Sequence, residues 1–355
     1  MRARPCFFYR SAERWHIRET AMSFIIPLFI PHEGCPHACV FCNQRAISGE
    51  QQHIDRDMVR QTIRRWLAWK RDHRTCAVAF YGGSFSALPE QRQLELLGAV
   101  QPFLARGEVD RIRISTRPDS IDPHRIAMLR EHGVTTVELG VQSLDNVVLE
   151  LAGRGHSSEQ AGEAVTLLRQ AGCVVGMQLM LGLPGQNFSS LRRTVAKTVA
   201  LNPDMVRVYP VLVVAGSKLE QLWRQAQFLP ISLEKAVLQA AYMKKQFDKA
   251  SIRVIRMGLQ AGESLRRTLL AGPFHPAFGE LVHSRIMLGR TRKLLAACGE
   301  DDKVQLVIHP RDQSVFRGVR SANLHRLSEL GLLSRFSLKT SEHIARYEVR
   351  CEFQQ

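Results

Sequence analysis

Three cysteines fall within eight residues, Cys35, Cys39 and Cys42, in the segment Pro31-His32-Glu33-Gly34-Cys35-Pro36-His37-Ala38-Cys39-Val40-Phe41-Cys42. The spacing is Cys-x3-Cys-x2-Cys, tight enough for three thiolates to wrap one compact inorganic centre. Two centres suit such a set. A cubane of four irons held by three cysteines keeps one iron open to a small molecule. A zinc ion would need a fourth ligand, which His32 or His37 could supply. Structural zinc usually draws its ligands from two separated knuckles, and the sequence has no second one. Cys6, Cys76, Cys173, Cys298 and Cys351 are scattered. One tight cysteine group in a long chain reads as a cytoplasmic metal protein, whereas a disulfide-stapled secreted domain is shorter and denser in cysteine.

Other segments carry small or polar residues suited to holding a ligand. They are Tyr81-Gly82-Gly83-Ser84-Phe85, Ser115-Thr116-Arg117-Pro118-Asp119, Gly140-Val141-Gln142-Ser143, Arg154-Gly155-His156 and Met177-Gln178-Leu179-Met180 with the turn Gly182-Leu183-Pro184-Gly185. Each stands at or just after the end of a β-branched run. The runs at 24–30, 77–81, 111–115, 134–141, 173–181, 204–209 and 252–256 are predicted strands. Helical patterns lie between them near 55–72, 89–105, 122–132, 157–171, 188–200 and 233–249. The helix at 157–171 shows the logic: Ser157 or Ser158 caps it, Glu159 sits in the first turn, Ala161, Ala164, Val165 and Leu168 form an apolar stripe, and Gly172 ends it. Strands joined by single helices imply right-handed βαβ units and a parallel sheet. The fold class is therefore α/β, a full or partial (β/α)6 TIM-like barrel, with an open doubly wound sheet as the alternative. In both, loops at the carboxyl ends of the strands build the site.

The alternation fades near residue 257. Residues 275–298 read as a helix, and 304–308 and 346–353 as strands. The expected organisation is a basic N-terminal extension over 1–22, a barrel over 23–257 and a small α+β C-terminal appendage over 258–355. Met22 directly precedes the first strand, so residues 1–21 read as a non-essential extension, with a misassigned start as one origin. The 355-residue chain carries a formal charge of +16. The first 22 residues hold +3 and residues 250–355 hold +7, leaving +6 for the 227 between. The ends are thus the better candidates for touching a polyanion; a solvated basic surface is the plain alternative. Gln170–Leu191 lacks charge, but Gln178, Gln186, Asn187, Pro184 and four glycines make it a poor membrane span.

Taken together over about residues 24–260, these motifs resemble the radical S-adenosylmethionine (radical SAM) superfamily. The branch is that of the radical SAM half of the Elongator catalytic subunit and of oxygen-independent coproporphyrinogen oxidase-like proteins. His275-Pro276-Ala277-Phe278-Gly279-Glu280 also looks like this branch. The resemblance implies a 4Fe-4S cluster on Cys35, Cys39 and Cys42, with SAM on the open iron, cleaved reductively to a 5'-deoxyadenosyl radical. Gly82, Gly83 and Ser84 match the family's Gly-Gly loop for the SAM amino group. Ser115 stands where many relatives carry Glu, which puts a ribose or amino contact in doubt. Arg117 matches a residue acting on carboxylate or substrate. Gln142 matches a SAM contact and Arg154 the partner of its carboxylate, a task that suits a planar guanidinium. Gln178 stands where relatives often have Asp; its amide can bond ribose or substrate but cannot act as a base. The Gly-Leu-Pro-Gly turn would shape the adenine pocket, and Tyr209 would turn a hydroxyl toward the site. Each also has a plainer role: Gln142 as a buried amide serving loop backbone, Arg154 and Arg117 in ion pairs, and Phe41, Met177 and Met180 in apolar packing.

Two features set the chain apart from the Elongator subunit. Its cysteine spacing is shorter, and no acetyl-CoA loop is recognisable in the roughly 95 residues after the barrel. The resemblance does not carry over carboxymethylation of uridine. It implies modification of tRNA or another RNA, with a ferredoxin or flavodoxin as electron donor and no membrane. A radical SAM enzyme for an anionic, porphyrin-like metabolite is the alternative, and a non-catalytic zinc protein that binds nucleic acid is a remote one. The sequence assigns no residue to radical relay.

Overall fold

The computed structural model describes residues 23–30, 35, 39–43, 54–71, 74–260, 262–299, 302 and 304–353. The basic extension at 1–22 and the candidate zinc ligands His32 and His37 lie outside them.

Seven strands form one sheet: β1 (Phe24–Ile30), β2 (Cys76–Gly82), β3 (Arg111–Thr116), β4 (Val134–Gln142), β5 (Val174–Leu181), β6 (Met205–Pro210) and β7 (Arg253–Met257). Their order in space is their order in the chain and every neighbouring pair is parallel. β1 and β7 do not pair. The sheet is a curled half-barrel, so the partial barrel is the form realised, with one strand more than six units require.

Helices fill the returns: α1 (Arg56–Trp69), α2 (Glu90–Ala105), α3 (Pro123–Glu131), α4 (Asn146–Leu151), α5 (Ser158–Gln170), α6 (Phe188–Leu201), α7 (Lys218–Arg224) and α8 (Leu233–Lys249). α5 is capped as its sequence requires. Ser157 accepts from the Gln160 amide, the Gln160 side chain answers to the Ser157 amide, and Ala161, Ala164, Val165 and Leu168 are buried. The core lies between helices and sheet, where Val78, Phe80, Ile112, Val137, Val175, Leu179, Val206 and Val208 meet Leu96, Leu97, Leu168, Ala240 and Phe247.

After β7 come α9 (Glu263–Thr268), α10 (Phe278–Ala296), α11 (Gln313–Arg317) and α12 (Ala322–Glu329), with strands β8 (Val304–Ile308), β9 (Phe336–Thr340) and β10 (Val349–Phe353). β8 is the middle of this second sheet, parallel to β9 and antiparallel to β10. α10 serves two cores. Phe278, Val282 and Ile286 pack into the barrel core, while Met287 and Leu295 pack against Val304, Leu306 and Phe316 of the second sheet. β9 has no counterpart among the sequence-predicted strands. Its residues are mostly exposed.

Candidate functional site

The loop leaving β1 carries the cysteines. Its described part is tied to two later connections. The Val40 amide donates to the Ala152 carbonyl (3.1 Å), the Leu219 amide donates to Val40 (2.7 Å), and Asn43 Nδ2 donates to Ala215 (2.5 Å). Val40 and Phe41 pack against Val148, Met180, Leu183 and Val211, so Phe41 and Met180 fill an apolar cluster beside the loop; Met177 is in the barrel core. Cys39 is buried, Cys42 half-buried and Cys35 exposed. Although the Cys35 side chain reaches the surface, desolvation and then the nearby Cys39 push its thiol upward, against the pull of Arg117 and Arg154. Among the described residues no three His, Cys, Asp or Glu side chains stand close enough to hold a metal ion. The cysteines share one loop without being gathered into a finished ligand set.

Arg154 links this loop to the sheet. It follows α4, is buried, and donates through Nη1 to Cys39 Sγ at 2.9 Å. Nη2 donates to the Gly140 carbonyl at the end of β4. Arg117, after β3, clamps Asp119 through Nε (2.9 Å) and Nη2 (3.0 Å) and also donates to the Arg154 carbonyl. Two buried donors, Arg117 Nη1 and Arg154 Nε, have no partner among the described residues. Gln142 closes β4 with φ +68°, where the β4–β5 register breaks. A Cβ on Gly140 would stand 3.3 Å from Gln142 Nε2 and 3.5 Å from Arg154 Nη2. Gly140 thus leaves room for the Gln142 and Arg154 side chains beside it. His156 is buried; desolvation, then Arg154 and Arg117, lower it to about 4, so its imidazole is neutral near pH 7.

The β2 loop is locked to its neighbours on both sides. Gly82 adopts φ +107°, and a Cβ there would lie 2.7 Å from the Ile30 carbonyl oxygen, so only glycine fits. The Gly83 amide donates to that same carbonyl at 2.7 Å. Ser84 is buried, and its hydroxyl pairs with Thr116 Oγ1 (2.9 Å) and accepts from the Arg117 amide (3.2 Å). Ser84 therefore places the β3 loop, its hydroxyl being taken up within the protein. Ser115 and Gln178 lie deeper on the sheet, Gln178 Nε2 donating to Ser115 Oγ at 3.5 Å.

Beneath these loops runs a charged network. Glu138 on β4 is 1% exposed and accepts from Arg113 Nη2 of β3 (2.7 Å) and Arg207 Nε of β6 (2.5 Å). Arg207 also donates to Tyr209 (3.4 Å) and to Tyr81 of β2 (3.5 Å). Side chains of β2 and β6, four strands apart, can meet only across the concave face of a curled sheet. Gly176 on β5 makes space, since a Cβ there would be 3.0 Å from Glu138 Cγ. Burial works against ionisation of Glu138, but Arg207 and Arg113 outweigh it and hold the carboxyl below its usual range. Burial raises Tyr81, and Glu138 adds to this.

Two family models match consecutive segments: the radical SAM superfamily over residues 29–197 and the radical SAM C-terminal domain over 203–287. The chain belongs to the radical SAM superfamily. It is 38% identical over 140 residues to a tRNA uridine(34) acetyltransferase of Methanocaldococcus infernus, a match covering 38% of this chain and 26% of the relative. It is 26% identical over 194 residues to the oxygen-independent coproporphyrinogen-III oxidase-like protein HemZ of Bacillus subtilis, covering 52% of this chain and 38% of that protein. The chain thus spans about a quarter of the first and well under half of the second. The structure of archaeal Methanocaldococcus infernus Elp3, lacking residues 1–46, matches with a TM-score of 0.58 at 24% identity, over 75% of this chain and 63% of that one. That match concerns the fold.

Radical SAM enzymes use a 4Fe-4S cluster and SAM. The residues present fit such groups: buried guanidinium donors without a partner among the described residues stand beside a buried cysteine, and Gly140 leaves room for the Gln142 and Arg154 side chains. The structure brings Arg117, Arg154 and Cys39 together with Gln142 nearby; it ties Gly82 and Gly83 to Ile30 at the end of β1 and Ser84 to the β3 loop. The sequence reading passed over Arg113 and Glu138 and gave Arg207 no role. Their signal is a charge at alternate positions of otherwise apolar strands, as in Arg111-Ile112-Arg113-Ile114, which marks a polar concave face. No helix among the described residues is long and apolar enough to cross a membrane.

Proposed function

We propose that this radical SAM enzyme modifies RNA, most directly tRNA, in the cytoplasm. Cys35, Cys39 and Cys42 would hold the cluster; Gly82, Gly83, Ser84, Ser115, Arg117, Gln142, Arg154 and Gln178 would surround SAM. The observation that carries the site is the Arg154 guanidinium, which donates to Cys39 while leaving Nε unpartnered. Once bound, the cluster and SAM supply a 5'-deoxyadenosyl radical by reductive cleavage of the sulfonium bond.

The residues of the chain do the positioning. Arg154 sets the Cys39 sulfur by an N–H···S bond, one lever on cluster potential. Arg117 and Arg154 offer planar donors suited to a carboxylate. The Gly82–Gly83 turn lets the backbone come close, and the Ser84–Thr116 pair fixes two loops against each other. The RNA reading is supported by the +16 charge and by the tRNA-acting relative named above. A reducing compartment suits cysteines that stand as free thiols, and a ferredoxin or flavodoxin would deliver the electron.

The test is anaerobic reconstitution followed by SAM cleavage after reduction and tRNA binding at low and moderate salt. About four irons, SAM cleavage and salt-dependent tRNA binding are expected. A colourless, iron-free protein would end the catalytic reading, and failure to bind tRNA at low salt would end the RNA reading. The second reading, an anionic metabolite as substrate, is favoured by the HemZ likeness; metabolite profiling of a deletion strain separates the two.

A further inference from the structure

α8 and α10 both start at the carboxyl edge of the sheet and descend along its outer side. α8 must return the chain to the start of β7, and Phe278 at the head of α10 packs against Gly258 just past the end of β7. Between them lies a groove of about 260 Å³, lined by Leu238, Ala241, Tyr242 and Lys245 from α8 and Arg285, Leu288, Gly289 and Arg292 from α10. Gly289 is mid-helix, where glycine costs roughly 1 kcal/mol relative to alanine. It opens a notch in which Lys245 Nζ stands 3.6 Å from where a Cβ would be.

The rim is cationic and uncompensated. Lys245, Lys249, Arg285, Arg292 and Lys293 are exposed, and none forms an ion pair among the described residues. The neighbouring acid, Asp248, is engaged by Lys244. Desolvation, then Lys293, Arg290, Arg285 and Lys249, lower the Lys245 ammonium below its ordinary value. So concentrated a positive field disfavours the folded protein by itself and is relieved by an anion. Arg285 and Arg292 are two helical turns apart, about 10 Å, too far for one phosphate to bridge and suited to successive phosphates of a chain. An aromatic pair borders the groove: Tyr242 meets Phe188 edge-on at 5.2 Å, and Phe188 is 50% exposed. Cations interleaved with exposed aromatic rings are the chemistry by which unpaired RNA is held.

We propose that the α8–α10 groove, rimmed by Lys245, Lys249, Arg285, Arg292 and Lys293 and floored by Tyr242, docks the phosphate backbone of an RNA. This rests on the RNA reading of the active site and adds where the remainder of that RNA lies. Lys245 is twelve residues below the head of α8, about 18 Å from the carboxyl edge. A substrate reaching both places is a polynucleotide, since a mononucleotide is too short.

The test compares the reconstituted full chain with K245E/R292E and with R64E/R65E, an equal charge reversal on the exposed face of α1. Binding of unmodified tRNA is titrated across salt; far-ultraviolet dichroism, melting temperature and iron content check folding. The groove variant is expected to fold, to bind at least tenfold more weakly at about 0.1 M salt, and to show a shallower log–log salt slope, by roughly two. The α1 variant should lose much less. Groove and wild-type proteins binding alike, or both variants losing equally, overturn the groove while leaving the RNA reading standing. Wild-type protein that binds no tRNA removes that reading as well. Should K245E/R292E misfold, K245Q/R292Q gives the same comparison. Binding of anionic phospholipid vesicles in place of tRNA would make the groove a membrane contact and also overturn the proposal.

Discussion

Glu138 is the residue on which the concave face depends. From β4 it neutralises Arg113 of β3 and Arg207 of β6 while 1% exposed. Glu138→Gln would leave two guanidiniums buried against a neutral amide. The expected cost is about 3–5 kcal/mol, as for breaking a buried ion pair from one side, read by urea denaturation; an unchanged midpoint would mean the network carries no such weight. His283 makes a second residue-scale prediction. Stacked on Tyr347 at 3.6 Å, it is lowered to about 4 by desolvation and then by Lys244. Its folded value lies below its unfolded one. The unfolded chain therefore takes up the proton first as pH falls, and stability declines from about pH 6.5 to about pH 4, by a few kcal/mol in all. Melting temperature against pH should fall in that window for the wild type and flatten in His283→Gln. The sequence could show that Cys35, Cys39 and Cys42 share a loop and that Arg154 stands near the end of a predicted strand. It could not show that Arg154 turns back to Cys39 across 115 residues, since that pairing follows from the curvature of the sheet.

At the scale of elements, most of the barrel was legible. β1 runs over 24–30 as its apolar run requires, and β8 over 304–308 likewise. The other barrel strands differ from their predicted bounds by a residue or so at each end, the usual uncertainty of a fraying terminus. What was hidden were short pieces such as α4 and α7, and the ladder of 213–214 with 269–271, too brief to show a period. The β1–β2 pair carries the element-scale prediction. Gly82 is in the left-handed region with the Ile30 carbonyl 2.7 Å from any added Cβ. Gly82→Ala should destabilise by about 1–3 kcal/mol and shift the loop that begins at Ile30. Lower iron retention after reconstitution, at unchanged helix content, is the expected reading; full retention would separate the turn from the cysteine loop.

For the whole molecule, α10 joins two cores, and this bears on the proposed boundary at 257. A chain ending at 257 loses Phe278, Val282 and Ile286 from the barrel core, roughly 1.5–3 kcal/mol for each fully buried side chain. It is expected to aggregate or melt far below the full chain. A chain ending at 297 keeps those three residues and should stay folded and unaggregated by dichroism and size-exclusion chromatography. Equal behaviour of the two truncations would show that the barrel needs no help from α10. The concave network has a further consequence. Arginine stays protonated at any accessible pH, Glu138 is held ionised and Tyr81 is held in its phenol form, and Gln178 has no titratable group. Near neutrality this wall neither lends a hydrogen ion nor accepts one. A reactive species generated above it would face the fixed charges of Arg113, Glu138 and Arg207, and any hydrogen ion the chemistry demands would have to come from somewhere other than these side chains.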